Sequence, residues 1–375
     1  MDATSTPPST PPAPPARPGA AALQLLRPVF WVLLLLAVLA AVLGSAVLWL
    51  GRTEEGTRWL LARIPIVQVQ GLKGALFGGS LAADRLRVSW GGGQAWVLID
   101  RLAAEGVRWE FRPDRRTWAG VSFTRLAAAR VEVHTGPPSG QPAQLPTSLA
   151  LPLRIASARV EVGELQIVDL APMRGISGRA AISDSGWHHA EDVQVASWDR
   201  WAMQGHARIA STRPFTVEGE IQARALDDRY DGSLRAAGPL ERLTLDAHLR
   251  SQPQAGRAAP SADVHAVVQP YAAWPFAALS ARTEALDLSA LASAAPETRL
   301  SGSVDVNGGG SQAPLAAQVR LDNALPGRWN ERRVPARQVA LDVQAAGPER
   351  NHLLLQRLDV ALDRKSTRLN SSHRC

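Results

Sequence analysis

Residues 67–88 read VQVQGLKGALFGGSLAADRLRV, with Lys73 set among Gly71, Gly74, Gly78 and Gly79. Glycines beside a lysine are the material of a phosphate loop, whose backbone N–H groups cradle the phosphates. That loop needs GxxxxGK[ST], with the lysine directly after the last glycine and a helix following. Here Lys73 precedes Gly74, and the alternation after Ser80 predicts a strand. The GxGxxG spacing of a dinucleotide fingerprint is absent too. These glycines are expected in turns between short strands, where positive φ is tolerated.

Two other clusters invite a chemical reading. His188 and His189 are the most metal-like pair, but neighbours on a strand point to opposite faces and cannot share an ion without a bulge. Asp227, Asp228 and Asp231 in LDDRYDG suggest calcium, yet the remaining ligand positions of a calcium loop are missing, and a charged turn is expected. No HExxH, GxSxG or EF-hand pattern occurs. The sequence predicts no catalytic residue, no cofactor and no metal. The 12 tryptophans fall mainly at apolar strand positions, where packing or an apolar lining explains them.

The elements that carry these residues are set by composition and period. The chain has 375 residues, of which 46% are hydrophobic, too many for wholesale disorder. Net charge is +7, and all 41 basic residues except Lys73 and Lys365 are arginine. They are spread along the chain and interleaved with acids, so no nucleic-acid partner is expected. Cys375 is the only cysteine, which excludes disulfides within the chain.

From Val29 to Leu50 the chain runs 22 residues without a charge, VFWVLLLLAVLAAVLGSAVLWL. As a helix this spans roughly 33 Å, about the hydrocarbon thickness of a bilayer. Phe30, Leu36 and Leu43 lie inside it, while Trp31 and Trp49 stand near the ends, where indoles favour the interface. A cleavable signal peptide, with Gly44-Ser45-Ala46 as its cleavage site, is the alternative; apolar residues continuing to Leu50 weigh against it. The expected organisation is a disordered proline-rich tail at 1–27, an anchor at 28–51 and a short membrane-proximal helix at 52–64. A β-body follows at 65–363. The last residues, 364–375, break the pattern abruptly and resemble translated adapter sequence. Arg17 and Arg27 before the anchor are balanced by Arg52, Arg58 and Arg63 after it, so charge leaves topology open.

Beyond residue 65 the apolar period is two. Val67 and Val69, Leu86, Val88 and Trp90, and Val107, Trp109 and Phe111 alternate with polar residues. So do Val121 and Phe123, Val131 and Val133, Val160 and Val162, Phe215 and Val217, and Leu243 and Leu245. Strict alternation gives each strand one apolar and one polar face and argues against buried parallel sheets with crossover helices. The fold class is mainly β, an elongated antiparallel array with no strict repeat. Roughly 16 to 20 strands would extend about 80–95 Å.

The anchor, Trp59-Leu60-Leu61, then Val67-x-Val69-x-Gly71-x-x-Gly74-x-Leu76 and Leu81-x-Ala83-x-x-Leu86, together resemble the start of the TamB branch of the AsmA-like proteins. The likeness runs to about residue 360, by motif over 59–86 and by style beyond. It implies an inner-membrane anchor, a periplasmic body and a folded-over sheet with an apolar groove. It also implies a role in moving phospholipids toward the outer membrane, or in outer-membrane protein assembly with an Omp85-type partner. Members are several times longer, so the resemblance implies a missing C-terminal region that meets that partner. A groove suits the physics: each methylene kept from water is worth roughly 0.8 kcal/mol, and a continuous apolar lining cancels most of that barrier. The competing expectations are a barrel-assembly factor that pairs with strand edges, and a structural or adhesive β-protein with a dry, closed core.

Overall fold

Alternating valines and leucines become strands, and the strands join edge to edge. A computed structural model describes residue 45 and residues 49–111, 119–136, 145–151, 153–252, 259–272, 275–308, 315–346 and 352–363. The first strands are β1 (Val67–Gln70), β2 (Lys73–Gly74), β3 (Ser80–Trp90), β4 (Ala95–Glu105), β5 (Arg108–Phe111), β6 (Ala119–Phe123) and β7 (Arg125–His134). They are followed by β8 (Leu153–Ile167), β9 (Met173–Asp184), β10 (Trp187–Trp198), β11 (Trp201–Ala210), β12 (Thr216–Ala225), β13 (Tyr230–Pro239) and β14 (Leu243–Ser251). The last are β15 (Ser261–Val268), β16 (Phe276–Leu286), β17 (Leu300–Asn307), β18 (Leu315–Asn323), β19 (Ala336–Ala346) and β20 (His352–Leu362).

All belong to one 20-stranded sheet that does not close on itself. From β8 to β20 each strand pairs antiparallel with the next, a meander. The other part is less simple. β4 and β5 run on from one another and pair with β7 and β6, forming one broken hairpin. β8 then lies parallel to both β6 and β7. A parallel neighbour needs a connection that returns along the strand; residues 145–151 of that connection cross the ends of β9 and β11. Leu149 N donates to Ser211 O at 2.9 Å, and Leu151 N to Ser183 Oγ at 2.9 Å.

Helix α1 (Glu54–Ala62) precedes the sheet, and a single-turn helix, α2 (Leu288–Leu291), follows β16. Among the described residues no helix is long and apolar enough to cross a membrane. Of the predicted anchor, Val29, Phe30, Trp31, Leu36 and Leu43 lie outside the described residues, as do the tail at 1–27 and residues 364–375. Trp49 and Leu50 are helical.

The glycine-rich stretch forms a socket for this helical end. Phe77 N donates to Gly51 O, and a Cβ on Gly51 would lie 1.9 Å from the Phe77 ring, so only glycine fits. Thr57 is fully buried and bridges the two sides: Leu76 N donates to its Oγ1 at 3.1 Å. Trp109 closes the back of the socket, donating Nε1–H to Leu76 O at 2.7 Å and meeting Phe77 edge-on at 5.4 Å. The turn expectation for Gly71 and Gly74 agrees with their φ of 62° and 84°.

Candidate functional site

Residues paired across neighbouring strands share a face, so the registers show where the apolar positions lead. Leu81 of β3 pairs with Ala104, Ala104 with Leu126, Leu126 with Val160, and Val160 with Gly178. Gly178 lies against Val193, which pairs with Gly205, and Gly205 pairs with Ile221. The row continues through Leu234, Ala247, Val264, Ala281, Val304, Val319 and Leu341 to Leu358 on β20. No polar side chain interrupts it. A second row joins Val69, Leu86, Ile99, Val131, Leu165, Met173, Trp198, Trp201 and Ala225.

The rows survive because the strands reset their pleat at registered points. In β3, β4, β7, β8, β9 and β10 the apolar spacing steps by three, from Ala83 to Leu86, Ile99 to Leu102, Ala128 to Val131, Val162 to Leu165, Met173 to Ile176 and Val195 to Trp198. Unbroken alternation would send the two halves of each strand to opposite faces. The odd steps stand side by side at Asp84, Arg101, Ala129, Gly163, Gly175 and Ala196. Arg101 and Gly175 have φ of 51° and 63°, the bulge-like geometry that turns a strand about its axis and bends it. A Cβ on Gly163 would lie 2.5 Å from Ala129 O, so the backbones meet closely there. A second such line passes Gly106, with φ of 63°, which packs on Thr124.

The apolar rows are not sealed. Val264, Ala281, Val304, Val319 and Leu341 are half-buried, while Ile221, Leu234 and Leu358 keep 39, 37 and 54% of their surface exposed. A trough of about 360 Å³ lies over Ile221, Leu234, Ala247 and Val264, with Trp198, Trp201 and Met203 at one side. Its rim is closed by the connection that carries α2. Ala225, Tyr230, Leu249, Leu286 and Ala290 form a buried cluster there. Arg200 Nη1 donates to Ser289 O at 2.6 Å and Trp201 Nε1 to Leu291 O at 2.9 Å, tying this belt to the β10–β11 turn.

The opposite face is a ladder of charges. Asp246 pairs with His265 and Asp263 with His248, each at 2.6 Å, and Arg320 reaches Asp342 at 2.7 Å. Arg250 and then His248 hydrogen-bond to Asp263 and hold its carboxyl below the usual carboxylate range. An open hollow of about 770 Å³ on this side is lined by Gln194, Gln204, Gln222, Ser233 and His248. Much of its polar capacity is spent internally, through Gln204 to Gln222, Arg224 to Asp231 and Arg250 to Asp263.

The predicted residues fall into distinct places. Val67 and Val69 pair with Val88 and Leu86, and these lead through Val97 and Ile99 to Val133 and Val131. Trp90 is exposed at the end of β3. Val160 lies in the first row, while Val162, opposite Ala128 and Ile176, Leu245, opposite Ala236 and Ala266, and Leu243, opposite Val268, stand beside it. Trp109 pairs with Val121, which is buried and leads to Ile155. Phe123 pairs with Ser157. Val107 stands outside the strands, its N–H on Gly79 O, and Phe111 is exposed at the end of β5. Val217 pairs with Ile209, whereas Phe215 is wholly buried in the β11–β12 connection with φ of 54°. Sequence reasoning missed Met173, Ile176, Trp198 and Trp201. The signal for them was present as apolar pairs spaced by three, which a search for strict alternation discards.

The chemical candidates also have places. His188 Nδ1 accepts from Ser183 N at 3.1 Å, while the neighbouring His189 faces Arg208 and Ala181 across the ladder. Asp227 accepts from the Arg229 backbone and side chain. Burial alone would raise that carboxyl, and the Arg229 bonds outweigh it, leaving the group below its ordinary value. Asp231 is paired with Arg224. Among the described residues no group of three or more His, Cys, Asp or Glu side chains could hold a metal ion. Compared with protein-family models, with curated proteins and with solved structures, the chain matches none.

Proposed function

We propose that this chain is a membrane-anchored bridge protein of the bacterial cell envelope that guides phospholipids along an apolar groove, without chemistry. The supporting observation is the unbroken row from Leu81 to Leu358, left half-open rather than packed under a second sheet. Acyl chains supply the cover that such a face lacks, at roughly 0.8 kcal/mol per methylene. The 22-residue apolar segment gives the tether, and the resemblance of residues 59–86 to the TamB branch of the AsmA-like proteins gives the inner membrane and periplasm. Photo-crosslinkers at Val264, Val304 and Leu341 are expected to capture phospholipid in cells, and Val264→Asp to abolish capture at its neighbours while the chain still folds. Capture of no lipid at any of the three positions rejects the reading.

A second reading draws on β20. Among the described residues it pairs only with β19, and Leu354, Leu355 and Leu358 are each more than half exposed. An open edge with apolar side chains is a template for another strand, which suits an assembly factor for outer-membrane β-barrel proteins acting with an Omp85-type partner. Crosslinkers on β20 then capture unfolded barrel strands in place of lipid.

A further inference from the structure

Five large apolar side chains crowd the start of the described chain and face solvent: Trp49, Trp59, Leu60, Ile64 and Ile66. Arg52, Arg58 and Arg63 stand among them. The Arg63 guanidinium lies over the Trp59 ring at 4.5 Å, and Arg58 is paired with Glu54 at 2.7 Å. Such a mixture of indole, branched aliphatic and arginine suits a bilayer headgroup layer, where rings and aliphatic stems enter the acyl boundary and cations stay at the phosphates.

The backbone turns at the point such a surface requires. Thr53 N donates to Trp49 O at 3.1 Å, continuing the helical end of the apolar segment. Thr53 itself is extended, with φ −110° and ψ 149°, and its side chain caps α1 by accepting from Gly56 N at 3.0 Å. The chain thus leaves one helix and starts another in a new direction. That corner is held by the socket: Gly51 against Phe77, and Thr57 between Leu50 and Leu76. Because the same socket packs on Trp109 of the sheet, the corner and the sheet are held as one piece.

We propose that the patch formed by Trp59, Leu60, Ile64 and Ile66 is a membrane-docking surface, seated in the headgroup layer of the bilayer that residues 29–50 enter. The occupant follows from chain continuity, since Trp49 and Leu50 are both the end of the apolar segment and part of the corner. It sets the opening of the apolar rows on the membrane: Ile66 is followed by Val67 and Val69, which pair with Val88 and Leu86. Lipid therefore meets the sheet at β1 and β3. This inference rests on the anchoring part of the reading above.

The test uses the full chain with Cys375→Ser, reconstituted in phosphatidylcholine vesicles with or without phosphatidylglycerol. An environment-sensitive dye is attached through Ile66→Cys, through Leu60→Cys, or through Arg224→Cys on the far polar face. The dyes at 66 and 60 are expected to shift to the blue and be quenched by nitroxide-labelled headgroups, more strongly with the anionic lipid and less at high salt. The dye at 224 stays water-like. Trp59→Glu combined with Ile64→Glu removes the shift at 66 without changing the β-sheet circular dichroism. Carbonate extraction of the same vesicles separates the outcomes. A chain held by the membrane with water-like dyes at 66 and 60 overturns the docking surface and leaves the anchor standing. A chain released by carbonate overturns both.

Discussion

The two ends of the sheet solve the same problem differently. From β11 to β20 the meander carries its apolar face by near-plain alternation, and its register shifts are scattered, at Val267/Val268, at Thr283/Leu286, where Ala285 has φ of 48°, and at Ala336/Gln338 and Asp342/Val343. From β3 to β10 the strands share an aligned line of resets and are joined through a parallel neighbour. The contrast shows that a continuous apolar surface does not require continuous alternation. The resets in β4, β8 and β9 fall on a positive φ or a glycine, at Arg101, Gly163 and Gly175, and a bulge of this kind bends a strand where plain alternation would not. The half nearest the apolar segment therefore carries resets that line up from strand to strand, whereas those of the meander are scattered.

Substitutions at glycines sharpen this contrast most. In the meander, Gly302 has φ of 142° and a Cβ would fall 2.0 Å from Arg320 O. Gly302→Val is expected to cost about 3 kcal/mol, read as a lowered urea midpoint. At the reset line, Gly175→Val meets a φ of 63° and Ala196 at 2.7 Å, and is expected to cost about 2 kcal/mol. Tryptophan fluorescence and hydrogen exchange then tell whether each change loosens its own half. If both changes loosen the whole sheet equally, the division into two halves is wrong. Trp109→Phe keeps the ring but loses the bond to Leu76 O, for about 1 kcal/mol, with faster exchange in residues 72–79 as its mark.

The smallest effects belong to the charged face. Arg320→Met removes a half-exposed pair with Asp342 and is expected to change stability by less than about 1 kcal/mol. Asp263 has a folded pKa depressed by Arg250 and His248, so its contribution is present above the ordinary carboxylate value and lost as pH falls through the depressed one. Asp263→Asn is expected to lower the urea midpoint slightly at neutral pH and to leave it unchanged at the acid end, so that its dependence on pH below about 4 is flattened.

How far the sequence could be read follows the same division. Leu243, Leu245, Val304 and Val319 announce their strands because polar and apolar residues simply take turns. Around Arg101 the same reading fails: Ile99 and Leu102 look like opposite faces until the cross-strand registers and a positive φ place them together. Val107, Trp109 and Phe111 look like one apolar face, yet Val107 stands outside the strand and Trp109 serves the socket. The parallel pairing of β8 leaves no local trace, since the 135–152 connection resembles any long loop. Gly51 and Phe77 find each other across a gap that no short motif spans, so the purpose of the glycine-rich stretch lay beyond sequence periodicity.

Because each strand of the meander is held mainly by its two neighbours, force has only one easy way in. A pull on the end of β20 peels hairpins off singly, each rupture presenting a fresh edge much like the last, so the force trace is a sawtooth of small, similar teeth. The same load applied through the Gly51–Phe77 socket meets crossed and parallel strands in shear and has to break many ladder bonds together. The meander thus yields strand by strand, while the socket side yields only as a unit.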